Sequence, residues 1–143
     1  MLGRKDYTRE ELDHGKAAVE QELTAYRQLV AAIAGATPGG NLGSSLAHFE
    51  ARFFNGLVLV LDRYDVHRLR MVTGKDANPL NEVEMLADSH MNNEGVLRGS
   101  NAIKWIPDQT VLKLRIGQPI RLTAAAFERL SAAFFTELER RFL

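Results

Sequence analysis

The chain has 143 residues and no cysteine. Disulfide staples, thiolate metal sites and cysteine nucleophiles are therefore excluded. Proline occurs four times and tryptophan once. Neither sign of charge dominates, since 18 Lys and Arg balance 18 Asp and Glu. That balance rules out a strongly basic nucleic-acid binder and an acidic disordered tail. Long hydrophobic runs are also missing. The longest, Phe53 to Leu61, is interrupted by Asn55 and Gly56 and falls far short of the roughly 20 apolar residues that span a bilayer. The opening MLGRKDYTREEL has no apolar stretch of a secretory signal. A cytoplasmic protein with no membrane partner is the expectation. What is present, 45% hydrophobic and 25% charged residues, fits one domain over residues 1–143 with one core.

Periodicity supplies the elements. Thr8 and Glu11 have capping-box spacing, and Leu12, Val19, Tyr26 and Ile33 follow every seven residues. This predicts a long amphipathic helix, stopped by the Gly, Pro, Asn and Ser of residues 35–45. Ser44 or Ser45 is positioned to cap a second helix. Its apolar face runs from Leu46 through Phe49, Phe53, Val60 and Tyr64 to Met71. A helix apolar over so much of its circumference is expected at the centre. Residues 57–61 also suit a buried strand, but the length of the pattern favours helix. Asn78-Pro79 predicts a third helix, ended by Asn92, Asn93 and Gly95. Thr123 caps a last one, with Phe127, Leu130, Phe134 and Leu138 on one stripe.

Between these helices the period changes from helical to two. Ile103 and Trp105 flank Lys104, Leu112, Leu114 and Ile116 alternate with Lys113 and Arg115, and residues 120–122 form a third short extended piece. The expected fold is therefore mainly α within an α+β class. It is a helical bundle with a small three-stranded antiparallel meander inserted before the C-terminal helix.

Three stretches, GRKDYTREELDHGKAAV, VHRLRMVTGKDANPLNEVEML and IRLTAAAFERLSAAFFTELER, resemble a family of small uncharacterised bacterial proteins, actinobacterial in type. The resemblance spans nearly the whole chain, so it implies a complete natural protein. It carries over no activity, cofactor or catalytic residue.

The densest polar segment runs from Asp62 to Glu82. A helix end, a Gly-Lys-Asp turn and an Asn-capped helix start meet there. Helix N-termini favour anions through their free N–H groups. The expected ligand site comprises Arg70, Lys75, Asp76, Asn78, Asn81 and Glu82, joined by His67, and its ligand is a small anion. The rival reading makes Asn78 a cap and Asp76 a turn residue, with the arginines paired to Asp62, Asp65 and Glu82. On the ligand reading the protein is a non-enzymatic binding or regulatory module. The alternative is a small enzyme acting on a phosphorylated or carboxylated metabolite, with Lys75 on the anion and His67 or Glu82 as acid or base. No catalytic set is identified, no cofactor is implied, and Ser44, Ser45, Ser89, Ser100 and Ser131 sit in no GxSxG turn.

The remaining constellations are thinner. Glu11 and His14 have the spacing of di-iron bundles but lack a second pair. His67 and His90, with Glu84 or Asp88, are the best metal set, and their spacing specifies none. Glu84 and Asp88, at i and i+4, would raise one carboxyl if they shared a cleft. Residues 82–94 hold four acids and no Lys or Arg, whereas residues 98–121 hold Arg98, Lys104, Lys113, Arg115 and Arg121 against Asp108 alone. One tryptophan is too thin a stacking platform for nucleic acid. An acidic helix opposite a basic meander instead suits pairing within or between chains. Adjacent Phe134 and Phe135 cannot share one narrow stripe, and a homodimer is the expected assembly.

Overall fold

The computed structural model describes residues 7–35, 42–64 and 74–143. Among them are four α-helices: α1 (Arg9–Ala34), α2 (Leu42–Tyr64), α3 (Pro79–Asn92) and α4 (Ala124–Phe142). Residues 93–123 connect α3 to α4 as an irregular strap with one 3-10 turn, Pro107–Gln109.

Local chemistry sets the helix ends. The Thr8 hydroxyl accepts from the Glu11 N–H at 3.1 Å, and the Glu11 carboxylate accepts from the Thr8 N–H at 3.0 Å. This reciprocal box satisfies two donors that the first turn would otherwise leave unbonded. Asn78 and Thr123 cap α3 and α4 with the side-chain acceptor alone, without the reciprocal bond. α2 begins at Leu42, so Ser44 and Ser45 lie inside its first turn rather than capping it. Residues 57–61 are helical.

Helical spacing decides what is buried. α1 turns Leu12, Val19, Leu23 and Tyr26 inward, and α4 turns Phe127, Leu130, Phe134 and Leu138 inward. α1 runs antiparallel to α4: the Tyr7 N–H donates to the Phe142 carbonyl at 3.2 Å at one end, and Arg27 pairs with Glu128 at the other. Edge-to-face contact of Tyr26 on Phe54 at 4.8 Å joins α1 to α2, and Phe54 meets Phe127 of α4 at 5.5 Å. The most enclosed helix is α3 rather than α2. α3 buries Leu80, Asn81, Glu82, Val83, Met85, Leu86, Ala87 and Ser89, whereas Phe49 of α2 stays 44% exposed. Phe134 and Phe135 are both buried within the chain, so their adjacency leaves neither free for a partner.

The three-stranded meander does not form. No strand occurs among the described residues, and only two isolated bridges do, Asp76 with Lys104 and Val96 with Pro119. The alternation was a burial pattern. Ile103 is buried and Lys104 exposed, but Ile116, expected on the inner face, is 50% exposed. The backbone donors a ladder needs are spent elsewhere. Val111 and Leu112 donate to Glu82, Lys113 to the Thr110 hydroxyl and Arg115 to the Gln118 side chain. Lys113 and Gly117 also take positive φ, at 56° and 90°, which turns the chain out of an extended path. The fold is an α-helical bundle with a strap. No helix among the described residues is long and apolar enough to cross a membrane.

Candidate functional site

The N-terminal half of α3 holds most of the residues the sequence singled out, and the structure gives them partners. The Asn78 carbonyl oxygen Oδ1 accepts from the Leu80 and Asn81 N–H groups at 3.0 and 3.1 Å. The Asn78 backbone carbonyl accepts from the Glu82 N–H at 2.8 Å. Pro79 has no N–H, so the first turn of α3 keeps no free backbone donor for an anion. The Asn81 amide donates to the Asp76 carbonyl at 2.7 Å, and the Asn78 amide to the Asp76 carboxylate at 3.2 Å. Lys75 and Asp76 are exposed. His67 and Arg70 lie outside the described residues.

Glu82 is fully buried. Its carboxylate oxygens accept from the N–H groups of Val111 at 2.8 Å and Leu112 at 3.0 Å. Burial pushes this carboxyl above the usual range, and the two backbone donors pull it part of the way back. Glu82 therefore pins the strap to α3, and no arginine touches it among the described residues. A base in that position is fully buried, with no exposed surface to offer a substrate.

The C-terminal half of α3 is different. A cleft of about 400 Å³ lies between α3 and the strap, lined by Glu84, Asp88, Arg98, Ser100 and Ile103 among others. Arg98 forks onto Asp88, with Nε at 2.8 Å and Nη2 at 3.1 Å from the two carboxylate oxygens. That pair holds Asp88 below the usual carboxylate range. Among the described residues it is also the one ion pair that joins the acidic third helix to the basic segment. Ser89 fixes the arginine's backbone, since its hydroxyl accepts from the Arg98 N–H at 3.1 Å and donates to the Met85 carbonyl at 2.7 Å.

Glu84 has no such counterion. Burial, and then the nearby charges of Asp62 and Asp88, push its carboxyl up. Asp62, on α2, is pushed up to about 6 by burial. Two half-buried carboxylates from different helices thus approach each other with no cation on either among the described residues. Further along α3, the Nε2 of His90 is buried without a hydrogen-bond partner among the described residues, and burial holds its imidazole below the ordinary histidine range. No group of three or more His, Asp and Glu side chains among the described residues is arranged to hold a metal ion.

The spacing of Glu84 and Asp88 was visible in the sequence. The contribution of Asp62 was not, because it reaches Glu84 only through the packing of α2 on α3. The signal for Arg98 was the step from an acid-only stretch to a basic one. No family model, curated protein or solved structure matches the chain.

Proposed function

We propose that the protein is a cytoplasmic small-molecule binding module whose site is the cleft between α3 and the strap. The observation that carries this reading is a pair of half-buried carboxylates with no counterion among the described residues: Glu84, which lines that cleft, and Asp62 of α2, whose charge bears on Glu84. Half-burying a charge is unfavourable unless something neutralises it. A proton does so at low pH, and an organic cation, an amine or guanidinium, does so above pH 6. Such a ligand differs in sign from the anion expected at the turn before α3, where the backbone donors are already used. Calorimetric titration with putrescine and agmatine tests it. Saturable binding is expected at pH 8, weakening as the pH falls through about 6 because Asp62 takes up a proton. The Asp62→Asn, Glu84→Gln double variant should keep the helical spectrum and lose binding. Equal binding by that variant, or none by the parent protein, overturns the reading.

The enzyme reading keeps one favourable observation. A carboxyl titrating at about 6 beside a second raised carboxyl is suited to general acid–base work near neutral pH. On that reading Asp62 and Glu84 take the role first given to His67 or Glu82. Glu84→Gln would then abolish turnover while leaving ligand affinity within a few-fold.

A further inference from the structure

The described arginines fall into two groups. Arg9, Arg27, Arg98, Arg140 and Arg141 each pair with a carboxylate. The side chains of Arg52, Arg63, Arg115, Arg121 and Arg129 form no hydrogen bond or ion pair with a described residue, and of these Arg52 and Arg121 line the same groove. This groove, of about 590 Å³, runs between α2 and residues 120–123 of the strap. It lies apart from the acidic cleft and shares no lining residue with it.

Its walls are fixed rather than loosely apposed. Asn55 on α2 donates to the Ile120 carbonyl at 2.9 Å and accepts from the Leu122 N–H at 3.3 Å. Arg121 sits between those two tethered residues. Glu50, one turn before Asn55, accepts from the Ala124 N–H at 3.0 Å and from the Tyr26 hydroxyl. The one carboxylate lining the groove is therefore committed to two donors. The small side chains of Ala47 and Ala51 leave the hollow, and His48 lines it as well. The result is a groove of small-molecule size with an arginine on each wall and an apolar strip between them.

We propose that this groove binds a small organic acid, its carboxylate or phosphate held between the guanidinium groups of Arg52 and Arg121. Guanidinium forks match both anions in two-point fashion, and two of them on opposite walls select an anion over water more strongly than either alone. The apolar strip favours a ligand with a carbon body over a bare inorganic ion.

The test uses the full chain and three probes: benzoate, phenyl phosphate and inorganic phosphate. Titration is followed by NMR at the arginine side-chain N–H resonances and by calorimetry. Benzoate or phenyl phosphate should saturate, shift the Arg52 and Arg121 signals, and bind more tightly than inorganic phosphate. The stronger of the two organic probes identifies the anion. Arg52→Ala or Arg121→Ala should weaken binding about tenfold each. Both residues are exposed, so the helical spectrum and melting temperature of these variants should match the parent. Arg→Lys at either position should recover only part of the affinity. The Asp62→Asn, Glu84→Gln variant should bind the acids like the parent, which separates failure of this groove from failure of the acidic cleft. The proposal falls if no probe saturates, if the alanine variants bind as the parent does, or if shifts spread over all surface cations and vanish with added salt.

Discussion

The two halves of α3 are built from similar side chains and behave oppositely. In the first half, Asn78, Asn81 and Glu82 are buried and their side chains are hydrogen-bonded, mostly to backbone, in a cap, a turn and the strap. In the second half, Glu84 and His90 are only partly buried, yet they are worse satisfied. Glu84 faces other acids, and the Nε2 of His90 has no partner among the described residues. Depth of burial is thus a poor guide to function in this helix. Buried polar groups that are fully paired hold a fold together. Partly buried ones left unpaired are where a ligand or proton has something to do.

Substitutions along α3 and its neighbours can break that contrast. The largest effect is expected at Glu82→Ala. It leaves two buried N–H groups without acceptors and a cavity beside α3, for a loss of about 3 kcal/mol or more in urea denaturation. A loss below 1 kcal/mol would mean that the first half is no better tied than the second. Asn78→Ala removes the cap of α3 and the tether to Asp76, and should lower stability by about 1 to 2 kcal/mol.

Asp62→Asn has the opposite sign. The folded-state carboxyl is raised from 3.8 to about 6, so the folded protein holds its proton more tightly than the unfolded chain. The contribution of Asp62 to stability is present below pH 3.8 and is lost as the pH rises through about 6. The variant should therefore exceed the parent by about 1 kcal/mol at pH 8, discounted for partial exposure, and match it at the acid end. Parallel stability curves for the two proteins between pH 4 and 8 would show that Asp62 is not an unsatisfied acid beside the second half of α3. The smallest effect is expected at Arg98→Ala, which removes one exposed ion pair, read as a small shift in melting temperature. It should also let the Asp88 carboxyl rise, which NMR titration would show.

Much of this architecture is written locally. Thr8 with Glu11, Asn78 with Pro79, and Thr123 each announce a helix start within a few residues, and each start is found. The strap departs from its sequence pattern for an equally definite reason. Alternation from Ile103 to Ile116 marks most of the side chains that turn inward, though not Ile116, and does not reveal who takes the backbone donors. The acceptor for Val111 and Leu112 is Glu82, on another element, and no short-range pattern encodes that. The binding features divide along the same line. Glu84 and Asp88 stand one helical turn apart and could be paired on paper. Asp62 with Glu84, and Arg52 with Arg121, come together only once α2 has packed on α3 and the strap has been drawn across the bundle.

Trp105 sits in that strap, and its indole N–H donates to the Leu114 carbonyl at 2.8 Å. It is the sole tryptophan of the chain. Intrinsic fluorescence therefore reads one place, the mid-strap, while far-UV circular dichroism reads the four helices. The protein carries two spectroscopic channels with almost no overlap. Superposed denaturation curves in both would show the strap melting with the bundle as one cooperative unit. An earlier fluorescence change would make the strap a unit that opens on its own.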